Sequence, residues 1–215
     1  MDEFKNFYEK WDEVDNNKAY HGEKITEKRT DLIAGVIKKN GLTSVCDVGY
    51  GYGYYSAFFS SLGIEADGYD ISKKNIAVAK KINCLEPSHS PGYYINDFSN
   101  NPSKKKYQLA FAFDVIEHIY DYDIFVKNIY NSLKEGGFIV LTTPNLLAPK
   151  RRLRILFGVE HGLVSKAHIH FFDPLSLRQV LTRNGFEVLK LTGTGKLSWL
   201  TPSLSGNLVI LGRKK

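Results

Sequence analysis

Cysteine is scarce in this chain: Cys46 and Cys84 are the two present among 215 residues, and their separation matches no metal-ligand spacing. That argues against a disulfide-stapled scaffold or a cysteine-held metal centre, and both thiols read as reduced bystanders. No apolar run approaches the roughly 20 residues that span a bilayer. Met1 to Trp11 carries acids and lysines where a signal peptide needs an apolar core, so the expected location is the cytoplasm. Internal repeats and low-complexity tracts are also missing. What remains is a chain with 43% hydrophobic residues, enough to bury one sizeable core. We expect a main domain over residues 31–215 and an N-terminal helical extension or lid over residues 1–30. The latter is rich in aromatics, Phe4, Phe7, Tyr8, Trp11 and Tyr20, and Tyr20 and His21 are its candidate pocket contacts.

The densest signal lies between Val45 and Gly53, Val-Cys-Asp-Val-Gly-Tyr-Gly-Tyr-Gly: a short apolar strand, then glycines at alternate positions 49, 51 and 53. Glycine adopts positive φ and, having no Cβ, lets a ligand approach the main chain. A dinucleotide fingerprint wants its third small residue one position later, where Tyr54 stands, so the spacing favours S-adenosylmethionine over NAD. After a helix-like stretch to Leu62 and a stop at Gly63, a second strand closes on Asp70. About 20 residues is the distance at which a βαβ unit brings the second strand's end beside the first, so Asp70 is the expected ribose ligand. Asp70 as a helix cap is the plainer alternative, but Ser72 supplies that cap.

With these residues the chain resembles the class I S-adenosylmethionine-dependent methyltransferases, in particular the broad group containing ubiquinone-type O-methyltransferases and envelope or glycan methyltransferases. The resemblance runs from Leu42 to Gly212. It rests on the glycine turn, Asp70, Asn96-Asp97-Phe98, Phe113 to Ile119, Leu133 to Gly137 with Thr142 to Asn145, and His168-Ile169-His170-Phe171-Phe172. It implies that Asp47, Gly49, Gly51 and Gly53 hold the methionine moiety, Asp70 the ribose and Asp97 the adenine amino group, with Phe98 lying against the adenine. Ile71 and Asp114 complete the implied cofactor contacts.

Elsewhere strands and helices alternate. Asp121 caps a helix with Phe125, Ile129 and Leu133 four apart, which Gly136-Gly137 ends; Phe138 to Thr142 is the next strand. Asp173-Pro174 opens a helix with Leu177, Val180 and Leu181 inward, stopped at Asn184-Gly185; Phe186 to Leu191 and Leu208 to Leu211 are further strands. Such alternation predicts a doubly wound, mostly parallel α/β sheet with helices on both faces. The resemblance makes it seven-stranded and Rossmann-like, with an antiparallel C-terminal strand over about Asn207 to Gly212.

Methyl transfer to a hydroxyl needs the nucleophile held in line and relieved of its proton. His118 follows a strand end, where open α/β sheets bind ligands, and His168 and His170, two apart, share a side if their segment is extended. These three are the candidate catalytic residues; His89 and His161 read as ordinary polar histidines. The less favoured alternative is a divalent metal: Asp114, Glu117 and His118 have the acid-x-x-Glu-His spacing that certain relatives complete with a later histidine, although aspartate stands where those enzymes carry glutamate. The net charge of +6 fits anionic partners. The basic and apolar stretch 150–158 reads as a substrate lid, a peripheral membrane contact, or a segment docked on the core. The leading function is therefore methyl transfer from S-adenosylmethionine, leaving S-adenosylhomocysteine, to an oxygen, or less readily a nitrogen, of a small or lipid- or sugar-linked acceptor. The alternatives are a metal-assisted RNA 2′-O-methyltransferase, for which nucleic acid is the partner, and a non-catalytic S-adenosylmethionine-binding subunit.

Overall fold

A computed structural model describes residues 27–83, 91–158, 167–194 and 201–215. Of the expected N-terminal extension, residues 1–26 lie outside the described residues, as do Cys84, His89 and His161. The chain divides into two compact units, residues 1–97 and 98–215.

The first unit carries α1 (Glu27–Asn40), β1 (Ser44–Val48), α2 (Tyr54–Ser61), β2 (Glu65–Asp70), α3 (Lys73–Asn83) and β3 (Gly92–Ile95). Every residue of β1 is buried, as expected of a parallel strand covered on both faces. Its register pairs Asp47 with Gly68 and Val48 with Tyr69, and β2 pairs Asp70 with Ile95, so the three parallel strands end together. Ser72 caps α3 through Asn75 N–H, as expected.

In the second unit, β4 (Tyr107–Phe113) leads through a 3₁₀ turn (Ile116–His118) to α4 (Tyr122–Ser132), β5 (Leu133–Pro144), α5 (Pro149–Leu156), α6 (Pro174–Arg183), β6 (Phe186–Thr194) and β7 (Asn207–Lys214). Asp121 caps α4 by accepting from Ile124 N–H, and Asp173 with Ser176 forms a capping box on α6. Leu177, Val180 and Leu181 are the buried face of α6, and Phe125, Val126 and Ile129 that of α4. β7 runs antiparallel to both β5 and β6. Among the described residues there are seven strands, in the order β3-β2-β1-β4-β5-β7-β6, which is the expected mostly parallel sheet with an antiparallel last strand.

One boundary differs from expectation. Leu133, at the helical spacing from Ile129, lies outside α4 with extended dihedrals, φ −97 and ψ 146, and opens β5 opposite Tyr107. The Leu133 carbonyl accepts from the buried Lys214 ammonium at 3.0 Å, and the pair Tyr107 and Leu133 is almost wholly buried, so strand pairing overrides the local 3.6-residue period. Gly136 and Gly137 consequently lie within the strand, Gly136 at φ 71, and β5 runs to twelve residues.

Candidate active site

The glycine turn takes the left-handed backbone the sequence asked of it: φ is 75, 57 and 78 at Gly49, Gly51 and Gly53. The three do different work. Gly49 N–H is spent on the Tyr69 carbonyl at 2.7 Å. A Cβ on Gly51 would meet nothing within 4 Å, so this is the face of the turn open to a ligand. A Cβ on Gly53 would lie 2.5 Å from the Tyr93 hydroxyl, which donates to the Gly53 carbonyl at 3.3 Å; glycine there serves packing between turn and β3. Asp70 ties the turn to the second strand. Its carboxylate accepts from Gly51 N–H at 3.0 Å, Ser72 N–H at 2.7 Å and Asn75 Nδ2 at 3.3 Å. A carboxylate offers about four acceptor positions, so Asp70 braces the loop while keeping acceptor capacity at its tip. Ile71, next along, is 73% exposed, and Asp97 is half-buried after β3.

Asp47 lies deeper, 3% exposed, accepting from Ser56 Oγ at 2.8 Å. Burial pushes its carboxyl up to about 7; the Ser56 bond works against that shift and the nearby Asp70 charge adds to it. Tyr50, between the glycines, packs its ring 4.8 Å from that of Tyr93 in a small cluster with Ile76 and Ala79. Burial and the two aspartates push its hydroxyl upward. Phe98 departs from expectation: it is 3% exposed in the second unit's core, with its carbonyl taking the Asn128 amide, so its ring has almost no surface to offer an adenine.

The second unit gathers the histidine candidates unequally. The His118 and His168 rings meet edge to face, with centroids 4.5 Å apart. His118 Nδ1 lies 2.9 Å from the Ala167 carbonyl. A carbonyl only accepts, so Nδ1–H donates and the neutral ring keeps its lone pair on Nε2. His168 is held below the ordinary imidazole range, chiefly by desolvation and then by the charge of His118; Arg151 acts in the same sense and Asp114 against it. His170 takes no part in the pair. It lies 3.1 Å through Nε2 from the Tyr120 carbonyl and packs against the Tyr122 ring at 4.8 Å. The Glu117 carbonyl receives both Ile169 N–H and His170 N–H, which pins the 168–170 strip to the 3₁₀ turn.

Glu117 itself is 1% exposed, and a carboxylate oxygen of Glu117 with one nitrogen each of His118 and His168 lies within a 4.8 Å cluster, the donor set a small divalent cation takes. In that cluster His168 stands as the later histidine, and Asp114, named with Glu117 and His118 in the less favoured metal alternative, is not part of it. Its backbone sits at φ 53, the sole non-glycine positive φ among the described residues, and its carboxylate turns to Thr142: Asp114 N–H donates to the Thr142 carbonyl and hydroxyl, and that hydroxyl donates to Oδ1 at 3.0 Å. Arg151 was legible only as one cation in a basic run. Its guanidinium donates to the Asn145 and Gly206 carbonyls, and the Glu117 charge partly offsets the burial that lowers its pKa.

An open, mostly parallel α/β sheet with a glycine turn and an acid closing its second strand is the class I methyltransferase fold. The chain belongs to the methyltransferase-domain family, whose model matches residues 18–191. Among curated proteins it is similar to the ubiquinone biosynthesis O-methyltransferase of Pelagibacter ubique, 28% identical over 152 residues, covering 68% of this chain and 62% of that one. The chain spans less than two thirds of the length of the first such relatives it matches, 62%, 46% and 62%. An S-adenosylmethionine-dependent methyltransferase of Clostridium acetobutylicum shares the fold over 98% of both chains with a TM-score of 0.71 and 14% identity. Magnesium protoporphyrin IX methyltransferase of Synechocystis, solved with bound S-adenosylhomocysteine, shares it over 87% of this chain and 83% of that one, with a TM-score of 0.67 and 18% identity.

Proposed function

We propose that this protein transfers a methyl group from S-adenosylmethionine to an oxygen of a small, largely apolar or lipid-linked acceptor, with the His118 and His168 pair as its proton acceptor. When bound, the cofactor supplies a sulfonium methyl, and the chain's own residues do the rest. The Gly51 face of the turn admits the cofactor, Asp70 accepts from the ribose hydroxyls, Ile71 offers an apolar surface to the adenine and Asp97 an acceptor to its amino group. His168 is kept neutral and so ready to take a hydroxyl proton; Asp114 then favours the imidazolium that forms. His118, with Nδ1–H on the Ala167 carbonyl, directs its Nε2 lone pair away from that bond. The single observation that carries this reading is the contact of these two imidazoles, one of them desolvated. Ile169 and Phe171, exposed by 49% and 45%, alternate with the histidines and would suit an apolar acceptor. The curated relatives named as ubiquinone biosynthesis O-methyltransferases support oxygen as the target over RNA or a non-catalytic role.

A second reading, with the same transfer assisted by a metal, is favoured by the donor cluster of Glu117, His118 and His168. Against it, the Arg151 charge already acts on Glu117. The test is turnover of a catechol-type acceptor. With His118→Ala or His168→Ala, turnover should fall by about 10²-fold or more while cofactor affinity stays within about twofold. Activity should survive EDTA; loss with EDTA and recovery with Mg²⁺ or Mn²⁺ would move the assignment to the metal reading, and full activity in both variants would overturn the proton-acceptor role.

A further inference from the structure

On the reading that the glycine turn seats S-adenosylmethionine, we infer that Tyr93 of the edge strand β3 is a positioning residue for the cofactor: its hydroxyl and ring hold the turn in the shape that receives the ligand, and affinity depends on that brace. Glycines with positive φ at positions 49, 51 and 53 make a soft stretch of backbone, since glycine gives up the most conformational freedom when it is ordered. Unless the protein holds the turn beforehand, ordering it weakens binding. Each of the three is tied to a neighbouring strand. Gly49 N–H donates to the Tyr69 carbonyl at 2.7 Å and Gly51 N–H to the Asp70 carboxylate at 3.0 Å, both on β2. The third tether comes from β3, where the Tyr93 hydroxyl donates to the Gly53 carbonyl at 3.3 Å. That carbonyl also accepts from Ala57 N–H at 2.9 Å, so Tyr93 fixes the turn at the point where it enters α2.

Packing decides where that hydroxyl can go. Tyr93 is buried, and its ring lies 4.8 Å from that of Tyr50, the residue between the first two glycines. Tyr50 lies over Gly68, where a Cβ would come within 2.7 Å of its ring, and Gly68 is the partner of Tyr93 across β2 and β3. Gly53 and Gly68 therefore leave the space that the two tyrosines fill. The Tyr50 hydroxyl is buried with no hydrogen-bond partner among the described residues, so Tyr50 contributes its ring, and Tyr93 both its ring and a bond. Tyr94, the next residue of β3, projects to the opposite face, exposed, with its ring stacked 5.2 Å from that of Tyr69.

Tyr93→Phe removes one oxygen and keeps the ring, and Tyr94→Phe is its control on the same strand. In calorimetric titration of the full-length protein with S-adenosylhomocysteine, Tyr93→Phe should weaken binding by about 3–10-fold, the span of one neutral hydrogen bond, and Tyr94→Phe should stay within about twofold of the parent. Circular dichroism at the parental value checks folding. Hydrogen–deuterium exchange over residues 49–57 of the unliganded protein should quicken in Tyr93→Phe alone. In turnover of a catechol-type acceptor, KM for S-adenosylmethionine should rise by the same factor as the loss of affinity, with kcat within about twofold. Parental affinity in folded Tyr93→Phe, equal losses in the two variants, or a fall in kcat with KM unchanged would overturn the proposal. Gly51→Val separates the brace from the seat: loss of binding there with parental affinity in Tyr93→Phe removes the brace alone, whereas normal binding in Gly51→Val removes both.

Discussion

Asp47 is 3% exposed with Ser56 as its hydrogen-bond donor, and burial raises its carboxyl from 3.8 to about 7. The sign of the linkage follows. Between these values the folded state binds more protons than the unfolded one, so this group's contribution to stability is fully present below about pH 4 and is lost as pH rises through about 7. Asp47→Asn should remove that dependence: urea midpoints of variant and parent should diverge between about pH 4 and pH 7.5, with the variant the more stable at the upper end. Parallel profiles would show that Asp47 is ionised throughout. Asp70 acts differently, because its carboxylate faces the Gly51 and Ser72 amides at the rim. Asp70→Ala should weaken S-adenosylmethionine binding by about 1.5–3 kcal/mol in calorimetric titration, the range for bonds to a charged group, and an unchanged affinity would refute its ribose role. Both aspartates were readable beforehand, Asp47 next to the end of β1 and Asp70 as the last residue of β2. Ser56 was not, because only folding brings α2 over the end of β1.

At the scale of elements, the glycine turn separates ligand space from packing space. Gly51→Val should abolish cofactor binding, as its side chain enters the open face of the turn, with the far-ultraviolet circular dichroism close to that of the parent and a urea midpoint lowered only by the strain of a β-branched residue at φ 57. Gly53→Ala should instead lower the urea midpoint, by about 1–3 kcal/mol in stability, because its Cβ collides with Tyr93 and φ is 78. Reversed outcomes would exchange the roles of the two positions. The end of α4 teaches a related lesson. Phe125, Ile129 and Leu133 continue one helical stripe on paper, yet Leu133 belongs to β5 because Tyr107 offers it a strand partner and Lys214 a hydrogen bond. Periodicity reports which residues are buried, and here a strand buries Leu133 as completely as a helix would have done.

For the whole molecule, ligand linkage gives the broadest test of the cofactor. S-adenosylhomocysteine at about 100 times its Kd should stabilise the fold by about 2.7 kcal/mol, which for a chain of this size raises the Tm by about 5–10 °C. NADH at similar concentration should leave the Tm where it is; a shift with NADH alone would overturn the cofactor assignment. Among the described residues no helix is long and apolar enough to cross a membrane.

By itself the sequence determined the strand-turn-helix unit around Gly49 to Gly53, the acid that closes the second strand and the alternation that makes the sheet parallel. Each follows from local backbone preferences or from the short connection between neighbouring strands, and these survive without knowledge of the rest of the chain. Only the tertiary structure decided which side chains of the second unit meet. His118 and His168 stand fifty positions apart in the chain, and their contact depends on the Glu117 carbonyl pinning the 168–170 strip. The same holds for Asp114, whose carboxylate takes the Thr142 hydroxyl, and for Arg151, picked out of a basic run to reach inward. Such pairings are chosen by packing and by the satisfaction of buried polar groups between distant segments, and no spacing along the chain encodes them.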